Sequence, residues 1–182
     1  MSKFKLEAPD SVLLIIDLQE RLMKAMKDSE RVLSNTNLLL ATAKQFSIPV
    51  IVTEQYPRGL GATVPEIKEN LPEHTYIDKV SFSSCIDNFM NTAAALQRKT
   101  FIVAGTETHV CVFQTVRDLL AAGYDVQVVS DAVCSRYDLN YLNGLDLMKQ
   151  AGAVITNTET VVFDLLGCAG TPEFKAISPL VK

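Results

Sequence analysis

Thr100-Phe-Ile-Val-Ala-Gly105-Thr-Glu-Thr-His-Val-Cys111-Val-Phe113 joins two hydrophobic patterns across one turn. The first half is a run of β-formers closed by Gly105, as expected of a short buried strand. Behind it, Val110, Phe113, Val116 and Leu120 recur at helical spacing, which predicts a helix from Val110 to Ala122 that ends at Gly123. Thr108 is placed to cap that helix. Cys111 then falls in the first helical turn, where unpaired backbone N–H groups and the helix dipole favour a thiolate and can hold an oxyanion. The plain alternative is a small buried hydrophobe, the usual fate of a free cysteine.

The same alternation extends outward in both directions. Val12–Asp17, Pro49–Thr53, Tyr76–Lys79, Thr100–Gly105, Asp125–Ser130 and Ala153–Thr156 read as strands. Arg31–Phe46, Ile86–Gln97, Val110–Ala122, Asp138–Gln150 and Glu159–Leu166 read as helices between and after them. The succession predicts a three-layer, doubly wound α/β fold of Rossmann-like type, a six-stranded parallel sheet with helices on both faces. Between Glu54 and Pro72 the pattern gives way to turn formers over a stretch longer than most αβ connections, and such loops are often functional. No internal repeat or linker divides the chain, so residues 1–182 are expected to form one domain. The tail from Thr171 to Lys182 can pack on the domain or on a partner subunit.

Composition narrows the functional classes. A net charge of −4 and a pI near 5.2 argue against a nucleic-acid surface, which normally carries a basic stripe. No apolar stretch reaches the length of a membrane span, and Met1–Asp10 has no apolar signal core, so an intracellular, cytoplasmic protein is expected. The four cysteines, Cys85, Cys111, Cys134 and Cys168, lack CxxC spacing and secreted-scaffold density, which makes reduced thiols the default.

In open parallel sheets the ligand crevice lies beyond the carboxyl ends of the strands. Asp17 closes the first strand, Lys79 the third, and Cys111 opens the helix after the fourth. Singly, an Asp there is often a strand terminator and a Lys a surface charge. Together they supply a base, a cation and a nucleophile, a combination expected to lower the thiol's pKa and assist proton transfer.

Val12-Leu-Leu-Ile-Ile-Asp17-Leu-Gln19, Asp78-Lys79-Val-Ser-Phe-Ser and Gly105-Thr-Glu-Thr-His-Val-Cys111-Val resemble, in order, three signature segments of the isochorismatase-like cysteine hydrolases. The likeness runs from about Val12 to about Thr160, and the Glu-Thr-His-Val-Cys form is most similar to the isochorismatase domain-containing proteins. The resemblance implies that Asp17 is the general base, Lys79 the cation that orients it, and Cys111 the nucleophile. It implies a cis peptide between Thr106 and Glu107 and an oxyanion hole made by the backbone N–H groups of Glu107 and Cys111. It also implies hydrolysis of a small amide or related carbonyl compound through a thioester and a homo-oligomer, and no cofactor is expected.

Where nicotinamidases of this group carry an Asp and His metal cluster, this chain has Thr53-Glu-Gln-Tyr-Pro57. With only His74 and His109 available, no catalytic metal is expected. His109, two residues before Cys111, is expected to face elsewhere as a helix-end residue. Gln19, Gln55, Tyr56 and Phe82 are candidate substrate contacts, Arg58 a candidate basic contact, and each has plain packing or surface placement as its alternative. Asp131 and Arg136 resemble a family segment that shapes the mouth of the crevice, with a structural ion pair between them as the expected role, and Cys85, Cys134 and Cys168 are expected to be inert. Two other functions fit the same fold: a catalytically silent binding protein, and a thiol redox sensor in which Cys111 is oxidised.

Overall fold

The computed structural model describes residues 3–181. Six strands, β1 (Ser11–Ile16), β2 (Val50–Gln55), β3 (His74–Lys79), β4 (Thr100–Thr106), β5 (Asp125–Cys134) and β6 (Val154–Thr156), form an all-parallel sheet in the order β3-β2-β1-β4-β5-β6. β1, β2 and β4 are buried along their whole length, as their near-continuous apolar runs require of strands covered on both faces.

Successive strand residues point to opposite faces, and the core divides accordingly. Leu13, Ile15, Val50, Val52, Ile102 and Ala104 pack on one side against Val32, Leu39, Leu40 and Ala43 of helix α1 (Ser29–Gln45). Val12, Leu14, Ile16, Ile51, Phe101 and Val103 pack on the other. There they meet Phe89 and Ala93 of α2 (Asp87–Ala95), Val116 and Leu119 of α3 (Phe113–Ala121), and Met148 of α4 (Asp138–Gln150). Helix α5 (Thr158–Leu166) adds Val161 to the first face, giving the three layers expected from the sequence. The tail packs on its own chain: Ile177 of helix α6 (Pro172–Ile177) clusters with Val162, Leu166 and Leu38.

Three details depart from the sequence reading. The helix behind β4 opens with a π turn, Thr108–Val112, before α3 begins. Thr108 is not its cap: Glu107 takes that position without a side-chain bond, and the Thr108 hydroxyl is buried without a protein partner. β5 runs on to Cys134 through an irregularity opposite Val103/Gly105, and within that stretch the Asp131 carboxylate accepts from Thr158 N and Oγ1. The long loop is structured: it contains single-turn helices Pro57–Leu60 and Pro65–Lys68. It is tied to the sheet by Glu54, whose Oε1 accepts from Thr63 N and Oγ1 and whose Oε2 accepts from Tyr76.

Candidate active site

The strand order reverses direction between β1 and β4, the point at which neighbouring connections diverge and leave a crevice. Asp17 follows β1 and Cys111 follows β4, so the switch point brings base and thiol together. The two strands approach unusually closely here. Gly105 has φ +134°, and a Cβ on it would stand 2.1 Å from the Ile16 carbonyl oxygen; only glycine fits.

Asp17 is anchored at every polar atom. Its φ of 53° turns it out of the strand direction; its N–H donates to Thr53 O at 3.1 Å, and its carbonyl accepts from Gln19 N and Thr106 Oγ1. In the side chain, Oδ1 accepts from Thr53 Oγ1 at 2.8 Å and Oδ2 from Lys79 Nζ at 2.7 Å. Both charged side chains are fully buried. A buried pair persists only when its geometry and additional hydrogen bonds offset the loss of hydration. Here the lysine also donates to Gln55 Oε1 at 3.0 Å and Phe82 O at 3.0 Å.

Cys111 is 5% exposed and lies near enough to this pair for both charges to act on its thiol. Its thiol is not the lowered one expected from the sequence. Burial, and then the negative charge of Asp17, push it from 9.0 up to about 12, and the opposing charge of Lys79 does not compensate. The resting group is therefore a thiol with an ionisable base beside it. The peptide bond between Thr106 and Glu107 is cis. Below it, α4 comes close to the π turn at Gly144, where a Cβ would stand 2.9 Å from the Thr108 carbonyl.

The other candidates separate. Gln19 and Gln55 are buried, with their amides bonded to protein: Gln19 to Gln55 N, Gln55 O and Gly61 O, and Gln55 to Lys79 and Val80 O. Tyr56 and Phe82 are 53% and 55% exposed, each adjoining Lys79 through backbone bonds. Arg58 is exposed on the loop. His109 Nδ1 meets Ser135 Oγ at 3.0 Å. Arg136 does not pair with Asp131, which is occupied at Thr158; its Nε and backbone N–H both donate to Glu107 Oε2, a partner the sequence reading missed. Cys134 is buried, Cys85 half-buried and Cys168 exposed, and all four thiols are free. Among the described residues no group of three or more His, Cys, Asp or Glu is arranged to hold a metal ion, and no helix is long and apolar enough to cross a membrane.

An α/β fold with an acid, a lysine and a cysteine gathered at its switch point belongs to a recognisable class. The isochorismatase domain model matches residues 11–160, and the chain belongs to the isochorismatase family. Within it the chain falls with the isochorismatase domain-containing proteins: it is 37% identical to isochorismatase domain-containing protein 2 of Xenopus laevis over 97% of this chain and 86% of the relative. It is 44% identical to the secreted isochorismatase effector Isc1 of Phytophthora sojae, covering 94% of this chain and 84% of that one. Among solved structures, MAR1 ribonuclease from Caenorhabditis elegans superposes with a TM-score of 0.93 at 39% identity, over 97% of this chain and 92% of that one. The YcaC gene product of Escherichia coli, described as an octameric hydrolase of unknown specificity, superposes with a TM-score of 0.89 at 27% identity, over 97% and 88%.

Proposed function

We propose that this protein is a cysteine-dependent hydrolase of a small amide or related carbonyl compound. The observation that carries the reading is a buried cysteine beside a carboxylate that is itself held by a buried lysine. In such an arrangement the thiol needs no free thiolate at rest; the base removes its proton as attack occurs.

The reaction runs in two stages. Asp17 takes the Cys111 proton while Sγ bonds to the carbonyl carbon, and the backbone N–H groups of Glu107 and Cys111 hold the resulting oxyanion. The C–N bond breaks, the amine leaves with the proton from Asp17, and a thioester remains. Water then attacks that thioester, giving one proton to Asp17; the acid departs and the proton returns to Sγ. Lys79 holds the Asp17 carboxylate in place between these steps. Amide and water are consumed, and acid and amine are formed, with the enzyme restored.

A homo-oligomer acting on a small molecule, without nucleic acid, metal or cofactor, completes the reading; the octameric E. coli relative supports the assembly. Four unpaired cysteines support an intracellular setting, whereas the Phytophthora relative is named as secreted. The test is release of ammonia from a panel of small primary amides, with intact-mass detection of an acyl adduct on Cys111. Turnover that disappears in Cys111→Ala and falls at least about 100-fold in Asp17→Asn is expected. Full activity in folded Cys111→Ala overturns the reading. No turnover together with an unreactive Cys111 favours the silent binding protein, and a stable sulfenic acid on Cys111 under mild peroxide favours the redox sensor.

A further inference from the structure

β1 stops at Ile16, opposite Thr53, whereas β2 continues to Gln55 and pairs there with Lys79 at the end of β3. The end of β2 therefore has no strand on its β1 side. The Gln19 carboxamide, wholly buried, fills that place. Its Oε1 accepts from Gln55 N at 2.7 Å, and its Nε2 donates to Gln55 O at 3.0 Å and to Gly61 O at 2.7 Å. One side chain thus supplies both ladder bonds that a neighbouring strand would have made.

With its backbone fixed in this way, Gln55 holds Lys79 from the side. Its Oε1 accepts from the ammonium at 3.0 Å while its Nε2 donates to Val80 O at 2.7 Å. An ammonium has three N–H donors, and Asp17 Oδ2, Gln55 Oε1 and Phe82 O are close enough to take all three. The fourth neighbour, Ser81 O, is longer at 3.4 Å. Position 55 must accept from a cation and donate to a carbonyl together, and among side chains of this shape an amide does both. A glutamate would keep the first bond, oppose the Val80 carbonyl, and add a second negative charge to compete for the lysine.

We infer that Gln19 and Gln55 are a relay of positioning residues that aims the Lys79 ammonium at Asp17, rather than contacts for the substrate. The inference rests on the reading of Asp17, Lys79 and Cys111 given above. It predicts that disturbing Gln55 acts on the thiol only through Lys79.

The experiment follows alkylation of Cys111 by iodoacetamide across pH, by peptide-resolved mass spectrometry, which needs no known substrate. Wild type, Lys79→Met, Asp17→Asn, Gln55→Met and the double variant Gln55→Met/Lys79→Met are compared, with Tyr76→Phe as a control that breaks a neighbouring, partly buried bond to Glu54. Thermal melts establish that each is folded. Gln55→Met is expected to slow Cys111 labelling near neutral pH by about 10-fold or more, since small misplacements of a reacting group have effects of this order. Its profile moves toward that of Lys79→Met, and the double variant is no slower than Lys79→Met alone. Tyr76→Phe keeps the wild-type profile.

A wild-type profile in Gln55→Met, with Lys79→Met and Asp17→Asn both altered, overturns the relay and leaves the triad standing. Additive losses in the double variant overturn it as well. Unaltered labelling in both Lys79→Met and Asp17→Asn removes the triad, and the relay with it. If Gln55→Met does not fold, Gln55→Glu preserves the shape; slowed labelling there supports the relay and wild-type labelling overturns it.

Discussion

Cys111 and Cys134 are two buried thiols at the same end of the sheet, on opposite faces of it. Cys134 is paired in register with Thr106 and packs in the cluster with α1, while Cys111 packs with α3 and α4. Burial is the first cause of the upward shift in both, and both are pushed to about 12. Neither is activated by a low pKa. What separates them is the company: the charges acting on Cys111 are those of Asp17 and Lys79, a buried carboxylate and ammonium paired with each other, whereas those acting on Cys134 are Arg31, Asp28 and Glu107. Reactivity in this fold is therefore expected to follow the adjacent base, and burial alone to make a thiol inert.

The largest effect that sharpens this contrast comes from taking the cation away. Lys79→Met leaves the Asp17 carboxylate buried with Thr53 as its remaining side-chain donor, and loss of one member of a buried pair typically costs about 3–5 kcal/mol. Urea denaturation should show that loss, together with loss of turnover. Cys134→Ala should cost about 1 kcal/mol and leave turnover intact. Equal losses of turnover in the two variants would erase the distinction between the thiols.

Next in size is Gly105→Ala. The added methyl group would meet the Ile16 carbonyl and require a positive φ, so β1 and β4 must separate at the point where they bring Asp17 and Cys111 together. Overpacking of this kind costs about 1–3 kcal/mol. Labelling of Cys111 should drop while Cys134 stays protected. A variant with wild-type stability and labelling would show that the close approach is dispensable.

Much of this was legible beforehand, and the reason is local. Continuous apolar runs mark strands covered on both faces, and helical spacing behind Gly105 marks the turn that carries Cys111, so layers, order of elements and the three strand-end residues follow from patterns within short windows. The rest depends on residues far apart in the chain. Asp131 looked like the partner of nearby Arg136, but it accepts from Thr158, and Arg136 pairs with Glu107, 29 residues away. Gln19 and Gln55 looked like substrate amides, yet they meet each other only because β1 ends two residues before β2 does. The π turn rests on Val112 N reaching back to Glu107 O, a bond that side-chain periodicity does not encode. The direction of the thiol's shift was missed because a sequence shows the neighbouring charges but not how little water reaches them.

Smaller again is the response to alkaline pH. Folding raises Cys111 and Cys134 to about 12 and Cys85 to about 11, from 9.0 in each case, chiefly by burial. Above pH 9 the unfolded chain loses these protons while the folded chain keeps them, so the unfolded state binds fewer protons and stability falls as pH rises. The contribution is complete below about pH 9 and is lost between about 9 and 12. Cys111→Ala and Cys134→Ala should each flatten part of that decline in denaturation midpoints, by similar amounts despite their different reactivities. A change confined to Cys111→Ala would mean that the charged pair, and not burial, governs the shift.

The smallest effect is expected at the crevice's second ion pair. Arg136 joins Glu107 at 3.0 Å, but its side chain is 52% exposed, unlike the sealed Asp17–Lys79 pair. Solvent screens such a contact, and exposed pairs typically contribute about 0–1 kcal/mol. Arg136→Gln should therefore leave stability within that range. Glu107 precedes the π turn and would keep only the Arg136 backbone donor, so any consequence should appear in the placement of Glu107 beside Cys111. The measurement is the ratio of Cys111 to Cys134 labelling: a modest fall in Cys111 alone is expected, and it should grow smaller when the wild type is compared in high salt. A loss as large as that of Lys79→Met would mean that the exposed pair, and not the buried one, organises the thiol.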